Sequence, residues 1–219
     1  MNKKNALVLI GSPKGLETST SARLARAVLA PFDDQGWTVD WIHLHRAVET
    51  AEGTTELVTK VSGADQVVFA APLYVDSLPA PAIRGLERIA AARSERTGEE
   101  KVPRFAVLIN CGFVESQQND TAVGICRAFA EAAGLEWFGE LTMGSAGNGP
   151  KRFHRALAEA GSALSSGFPI PPSARKLTRR PAMPKLLYVI GGNVMWRRIA
   201  KKRFGVTKQE ILAQPCKEA

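Results

Sequence analysis

The sequence predicts an α/β fold in which five parallel strands form one doubly wound sheet, followed by a C-terminal helical extension. Five short apolar runs recur along the chain, and segments with helical spacing of apolar residues lie between them. Alternating strands and helices favour parallel strands joined by right-handed crossovers. In such a sheet, ligands bind beyond the carboxyl ends of the strands. The loops that follow the strands are therefore the candidate functional segments.

The five apolar runs differ in pattern. Three are continuous, as expected for strands covered on both faces of a parallel sheet: Ala6–Ile10, Val67–Ala71 and Phe105–Asn110. The run that begins at Trp37 alternates between apolar and polar residues, which indicates a strand at or near a sheet edge. The run Trp137–Met143 completes the predicted sheet.

Helical spacing of apolar residues separates the strands. Helices are predicted over residues 19–31, 54–63, 80–93, 120–134 and 150–166. Gly134 and Gly167 lie where the last two of these helices would end, and Asn119 or Asp120 would cap the start of the fourth.

Length and cysteine content bound the class of protein. The chain has 219 residues, which suits one domain with a full core. Cys111, Cys126 and Cys216 are scattered and form neither a CxxC pair nor a metal-ligand pattern. Lys3 and Lys4 lead directly into a strand-length run rather than into a signal peptide. We therefore expect a cytoplasmic protein in a reducing compartment.

The composition changes after Gly167, and this change predicts two parts. Residues 1–168 are expected to form the main α/β domain, and residues 169–219 a Pro-rich connector with a basic helical extension. Five prolines occur between Phe168 and Pro184 and predict an extended connector. From Ser173 to Ala219 there are twelve Lys or Arg and two Glu, so this segment has a net charge of +10. The rest of the chain has a net charge of −2, which gives the total of +8.

The extension contains an apolar and then a basic stretch. Leu186–Phe204 is too apolar for a free arm, and we expect it to pack as a helical element against the main domain or a partner subunit. Gly191 and Gly192 predict a break, giving two short helices or one broken one. A basic segment of this kind suits an anionic partner or a solvated helix face. Membrane contact is considered but not favoured, and no nucleic-acid partner is expected.

The loop after the first strand has the character of a phosphate site. Gly11 ends the strand, and a hydroxyl-rich loop with one lysine leads directly into a helix; its polar residues are Ser12, Lys14, Thr18, Ser19 and Thr20. The first amides of a helix lack intrahelical acceptors, and the helix dipole favours an anion there. Neither a Walker A loop nor GxGxxG is present. The alternatives are a site for a single phosphate, as in a mononucleotide, and an ordinary capped turn.

The loops after the third and fourth strands should meet the first. The third strand leads into a proline-stiffened loop with one aromatic ring, formed by Pro72, Leu73, Tyr74, Val75 and Ser77. The fourth leads into a loop with an amide and a glycine, formed by Asn110, Cys111, Gly112 and Phe113. Together the three loops predict a site for a planar ring with polar edges and a phosphate tail.

These motifs resemble those of the flavodoxin-like NAD(P)H-dependent FMN reductase and quinone reductase superfamily. Its GSPR/K loop ending in a hydroxyl cluster is similar to Gly11–Lys14 with Thr18, Ser19 and Thr20. Its PxYxxSxP loop is matched by the segment Pro72–Pro79, and the third loop is matched less sharply. The tail GNVMWRRIAKKRFG resembles the end of one bacterial subgroup of flavodoxin-family oxidoreductases.

The resemblance implies a flavodoxin-like fold and non-covalently bound FMN, with NAD(P)H as cosubstrate. It assigns Ser12, Lys14, Thr18, Ser19 and Thr20 to the phosphate. It assigns Pro72–Val75 and Ser77 to the walls around the ring and ribityl chain, and Asn110–Phe113 to the polar edge of the ring. It requires no catalytic side chain, because the hydride chemistry belongs to the flavin.

Three functions remain open at this stage. The first is an FMN-dependent NAD(P)H oxidoreductase, expected to be a homodimer, that reduces a small molecule such as a quinone, a flavin or a nitro or azo compound. The alternative is a flavodoxin-type electron carrier without NAD(P)H activity, although the nearly neutral main domain lacks the acidic surface expected of one. The third is a non-catalytic module that binds membrane or nucleic acid through its tail. His43 and His45 could begin a metal site, but no third ligand is evident, and no metal is expected.

Overall fold

The five predicted strands form one all-parallel sheet. A computed structural model describes residues 3–94, 101–145, 149–207 and 209–210. The strands are β1 (Asn5–Ile10), β2 (Thr38–His43), β3 (Gln66–Pro72), β4 (Arg104–Asn110) and β5 (Glu136–Met143). Their order across the sheet is β2-β1-β3-β4-β5, with every neighbouring pair parallel. The doubly wound fold is confirmed, and the alternating strand β2 lies at an edge as predicted.

The helices alternate with the strands. They are α1 (Thr20–Asp34), α2 (Leu44–Ala47), α3 (Ala51–Gly63), α4 (Ala80–Ser94), α5 (Asp120–Ala132), α6 (Lys151–Ser165), α7 (Pro172–Arg179) and α8 (Lys185–Phe204), with a 3₁₀ turn at Ser116–Asn119 before α5. The five helices expected between strands are present with their ends shifted by up to three residues. The additional helices are the single turn α2 and, beyond α6, α7.

The core lies on both faces of the sheet, which explains the continuous apolar strands. In β1, Leu7 and Leu9 belong to a buried cluster that includes residues of α3, α4 and α5. Ala6, Val8 and Ile10 belong to a second buried cluster on the opposite face, with residues of α1 and α6. Because successive side chains of a strand point to opposite faces, a strand covered on both sides must be apolar at every position.

The Pro-rich segment is not simply an extended connector, which corrects the prediction. Pro171 occupies the N-cap position of α7, and Pro172 is its first residue, where proline's missing N–H and fixed φ do no harm. An ion-pair network joins α7 to β5 and α5. Arg175 Nη1 lies 3.4 Å from Oε1 of the buried Glu140, and Arg127 Nη2 lies 2.8 Å from its Oε2. Prolines therefore mark positions where a helix can begin as well as positions where it cannot continue.

The chain divides into two compact units, residues 1–182 and 183–219. The division predicted after residue 168, into a main domain and a C-terminal extension, stays a prediction. In the second unit, α8 is one uninterrupted helix, so the break predicted at Gly191 and Gly192 is wrong. Each glycine costs a helix only about 1 kcal/mol relative to alanine, which weakens a long helix without breaking it.

None of the residues of α8 is buried, although many are large and apolar. Packing of this segment against the main domain or a partner subunit therefore stays a prediction. Among the helices that the structure describes, none combines the length and apolarity needed to cross a bilayer.

Candidate functional site

A cavity opens at the carboxyl ends of β1, β3 and β4, where the three predicted loops meet. Its volume is about 220 Å³, and it is lined by Ser12, Lys14, Thr20, Ser21, Pro72, Leu73, Tyr74, Asn110, Cys111 and Gly112. The strand order reverses between β1 and β3, so the cavity lies at the topological switch point where doubly wound sheets bind ligands. Nine of the fourteen residues predicted from the sequence line it.

The hydroxyl loop forms one end of this cavity, which we call the phosphate end. Ser12 is buried, and its Oγ accepts a hydrogen bond from the backbone N–H of Lys14 at 3.2 Å, which leaves the hydroxyl proton for another acceptor. Thr20 is the first residue of α1 and also lines the cavity. Gly11 permits this arrangement, because a Cβ there would lie 2.9 Å from the Cβ atoms of Ala71 and Ala82.

Two other hydroxyls of the loop are engaged in the local structure. Ser19 is buried as the N-cap of α1, and its Oγ accepts from the N–H of Ala22 at 3.3 Å. Thr18 is exposed and donates to the carbonyl of Gly15 at 3.3 Å. Neither residue lines the cavity. A cluster of hydroxyls in sequence therefore divides into side chains that line the cavity and side chains that shape the loop.

Ser21 is a cavity residue that the sequence did not single out. Its buried hydroxyl donates to Oδ1 of Asn110 at 2.8 Å and so joins the start of α1 to the end of β4. Because Oδ1 is occupied, the Nδ2 amino group is the part of the Asn110 amide that remains for a ligand. The signal in the sequence was weak, since adjacent helical residues point in directions about 100° apart and the helix register was not known.

His43, considered as a metal ligand, contacts the phosphate loop instead. Its Nε2 lies 3.0 Å from the backbone carbonyl oxygen of Lys14. A carbonyl only accepts, so Nε2 carries the proton and donates. The imidazole of His45 pairs with Glu49, 3.5 Å from its Oε1. Within the part of the chain that the structure describes, no group of three or more His, Cys, Asp or Glu is placed to hold a metal ion.

A tight hairpin after β3 lines another part of the cavity, which we call the ring end. Tyr74 N–H donates to the carbonyl of Ser77 at 2.8 Å, and Ser77 N–H donates to that of Tyr74 at 3.1 Å. The two residues between them, Val75 and Asp76, have φ of 48° and 56°. Positive φ at both central positions defines a type I′ turn, which favours Asn and Gly. A β-branched residue there is strained.

The hairpin places its side chains unequally. Pro72, Leu73 and Tyr74 line the cavity, whereas Val75 and Ser77 do not. Tyr74 remains 42% exposed and Val75 99% exposed. The ring end is therefore open to solvent at Tyr74, and only the first residues of the predicted loop form its wall.

The loop after β4 closes the cavity with small groups. Asn110, Cys111 and Gly112 line it, while Phe113 does not and is half exposed. The Cys111 thiol is buried, receives a hydrogen bond from Asn119 Nδ2 at 3.4 Å, and has a raised pKa because burial disfavours its thiolate. Its place in the structure is that of a buried neutral thiol rather than a reactive nucleophile.

Comparison with known proteins identifies the class. The family model for the flavodoxin-like fold matches residues 4–165, which is most of this chain. The protein belongs to the flavodoxin-like fold family. No curated protein matches it significantly.

Solved structures agree with this assignment of the fold. An FMN-dependent NADH-azoreductase from Bacillus anthracis in complex with FMN is 17% identical, with a TM-score of 0.57 over 74% of this chain and 99% of that one. An NAD(P)H:quinone oxidoreductase from Methanothermobacter marburgensis is 17% identical, with a TM-score of 0.58 over 74% of this chain and 100% of that one. At such low identity the likeness shows the shared fold.

Proposed function

We propose that this protein is an FMN-dependent NAD(P)H oxidoreductase that reduces a quinone, a flavin or a nitro or azo compound. The observation that carries the proposal is one cavity with two chemically different ends. Hydroxyls and a helix N-terminus form the phosphate end, and an aromatic hairpin with a glycine loop forms the ring end. FMN has the same division into a phosphate and a planar ring.

The phosphate end fits a dianion by its donors. The Ser12 hydroxyl keeps a free proton after accepting from Lys14, and Thr20, at the start of α1, lines the same cavity. The positive end of the helix dipole and the exposed Lys14 ammonium favour negative charge at this place. Ser19 and His43 would contribute indirectly, through the N-cap of α1 and the Lys14 carbonyl.

The ring end fits a planar group with polar edges. Leu73 and Tyr74 supply apolar surface, and a Cβ at Gly112 would meet no residue other than its two chain neighbours within 4 Å. Because Ser21 donates to Oδ1 of Asn110, the amino group of that side chain is left to donate to a ligand. These groups would bind the flavin by packing on its ring and donating hydrogen bonds to its polar atoms.

When bound, FMN supplies acceptance and donation of hydride and electrons. The protein's part is to bind, orient and stabilise. The Asn110 amino group and the Lys14 charge would favour negative charge on the cofactor. The open side at Tyr74 would admit NAD(P)H and then the acceptor. Cys111, buried and neutral, has no role in this chemistry.

The structural relatives support the choice of cofactor and electron donor. Their names state FMN dependence with NADH for one, and NAD(P)H with quinone for the other. This chain adds its own GSPK and PxYxxSxP segments at the same cavity. We also propose a cytoplasmic location. We further propose a homodimer, and sedimentation equilibrium would test this oligomeric state.

Anaerobic mixing with reduced nicotinamide tests the proposal. Protein loaded with FMN and freed of excess flavin should lose its yellow absorbance rapidly when NADH or NADPH is added, and regain it when a quinone or nitro compound follows. Bound FMN that resists both nucleotides but accepts electrons from dithionite would instead indicate an electron carrier. Protein that binds no FMN would contradict both.

A further inference from the structure

The helix α8 has a surface unlike any other in the described chain. Its stretch Leu186–Trp196 is largely apolar and exposed; Leu186 is 70% exposed, Ile190 51% and Trp196 65%. None of the helix's residues is buried. Exposed apolar surface on this scale indicates an interaction site rather than an ordinary solvated face.

The apolar surface runs around the whole circumference of the helix. Successive residues of an α-helix are about 100° apart, so Leu186, Leu187, Tyr188 and Val189 already point to all sides. Val194, Met195 and Trp196 repeat this distribution two turns later. A helix that is apolar all round requires an apolar environment on every side. A folded protein partner covers one face, whereas lipid can surround the helix.

The charge around this stretch is entirely positive. No Asp or Glu occurs between Ser173 and Val206. Lys185 precedes the apolar stretch, and Arg197, Arg198, Lys201, Lys202 and Arg203 follow it. Cations at both ends complement a surface of anionic headgroups, with the apolar stretch between them below the headgroups.

The dimensions agree with a helix that lies parallel to the membrane surface, just below the headgroups. The apolar stretch from Leu186 to Trp196 would be roughly 16 Å long at 1.5 Å per residue, about half of a bilayer's hydrocarbon thickness. The charged residues at both ends would hold the helix parallel to the surface. Tyr188 and Trp196 lie near the two ends of the stretch, where aromatic residues favour the interface.

We propose that α8 docks the protein on a lipid bilayer that carries anionic headgroups. The apolar stretch sinks below the headgroups, and the cations at its two ends contact lipid phosphates. This docking is independent of the flavin chemistry proposed above. A nucleic acid would use the cations but leave the apolar stretch in water, and a second copy of α8 would cover one of its sides.

Cosedimentation of the full-length protein with vesicles tests this docking. The fraction bound should rise about tenfold or more between vesicles of phosphatidylcholine alone and vesicles with about one third phosphatidylglycerol, and fall with added salt. Tryptophan emission should shift to shorter wavelength on binding, and the Trp196→Phe variant should lose that shift.

Two variants and one control separate charge from apolar contact. The triple variant Arg197→Gln, Arg198→Gln, Lys201→Gln should lose about tenfold or more of the binding to anionic vesicles. The double variant Leu187→Ser, Val189→Ser should bind weakly despite its unchanged charge. The control Arg84→Gln, Arg88→Gln, Lys151→Gln removes three exposed cations elsewhere and should bind as the original protein does.

The results that would contradict this docking can be distinguished from one another. Equal binding to neutral and anionic vesicles, or no binding to either, would overturn the proposal. A concentration-dependent dimer that binds no vesicles and is lost in the Leu187→Ser, Val189→Ser variant would assign α8 to a second copy. Displacement from vesicles by DNA at physiological salt would assign it to nucleic acid.

Discussion

The two ends of the cavity differ in how completely the protein has organised them. At the phosphate end, hydrogen bonds of 3.2 and 3.3 Å fix Ser12 and Ser19 before any ligand arrives. At the ring end, Tyr74 is 42% exposed, and Val75 and Asp76 of the hairpin have positive φ although neither is glycine. The difference indicates a division of labour, with affinity determined at the organised end and access determined at the open one.

Preorganisation explains why the division matters. Groups already held in place lose little freedom when a ligand binds, so their interactions appear almost fully in the affinity. An open aromatic wall gains less per contact but admits partners of different shapes. Substitutions at the phosphate end should therefore change cofactor binding selectively, whereas those at the ring end should act on all flavins and acceptors alike.

The largest expected effect is at Thr20. Replacing Thr20 with Ala removes a donor to the phosphate and should weaken FMN binding by about 10- to 100-fold, because hydrogen bonds to charged groups contribute about 1.5–3 kcal/mol. Riboflavin, which lacks the phosphate, should bind within about twofold of its original affinity. Fluorescence-quenching titrations with both flavins measure this.

Thr18→Ala is the matched control, since Thr18 is nearby but does not line the cavity. It should leave both affinities nearly unchanged. Equal weakening of FMN and riboflavin in Thr20→Ala would show that the phosphate is bound elsewhere.

Ser21 should matter next most. The Ser21→Ala variant leaves Oδ1 of buried Asn110 without its hydrogen bond, which should lower the free energy of unfolding by about 1–3 kcal/mol. It should also weaken both flavins, because the Asn110 amide is no longer held in one orientation. Urea denaturation measures the stability, and Ser94→Ala on an exposed helix end is the control. A variant as stable as the original protein would show that this bond has no structural role.

At the ring end, Tyr74→Ala should weaken FMN and riboflavin equally, by about tenfold, because the apolar wall and its stacking contact are lost. Tyr74→Phe keeps the ring and should restore most of the affinity. A loss confined to FMN would place Tyr74 at the phosphate and break the proposed distinction between the two ends.

The smallest effect concerns the strained turn. Replacing Val75 with Asn and Asp76 with Gly supplies the residues that a type I′ turn favours and should raise the free energy of unfolding by about 1 kcal/mol. Thermal unfolding measures the change. A more stable variant with altered turnover of acceptors would link the strain to function, and a less stable one would contradict the assigned turn.

The sheet could be predicted because its signal is repeated along the chain. Strands buried on both faces must be apolar at every position, so β1, β3 and β4 were located to within a residue. The loops were correctly expected to meet, since parallel strands bring their carboxyl ends to one edge. Side-chain roles within a loop were less accessible. Whether Ser19, Thr20 or Ser21 faces the cavity depends on the exact start of α1, which spacing alone does not determine.

Long-range contacts could not be predicted from the sequence, for a related reason. The His43 bond to the Lys14 carbonyl joins the end of β2 to the loop after β1 and involves a backbone atom, which no residue pattern shows. The polarity of α7 and α8 did not predict which of the two helices has buried residues. The charged α7 is held by Glu140 through Arg175, while the apolar α8 has no buried residue. Burial depends on a complementary partner, and for α7 that partner is Glu140.

The central claim is that the cavity recognises a flavin by its phosphate. Titrating the original protein with FMN and with riboflavin, and comparing the two dissociation constants, tests it most directly. We expect FMN to bind about 100-fold more tightly than riboflavin, because several charge-assisted hydrogen bonds would hold its phosphate. Equal affinities, or quenching of neither flavin, would contradict it.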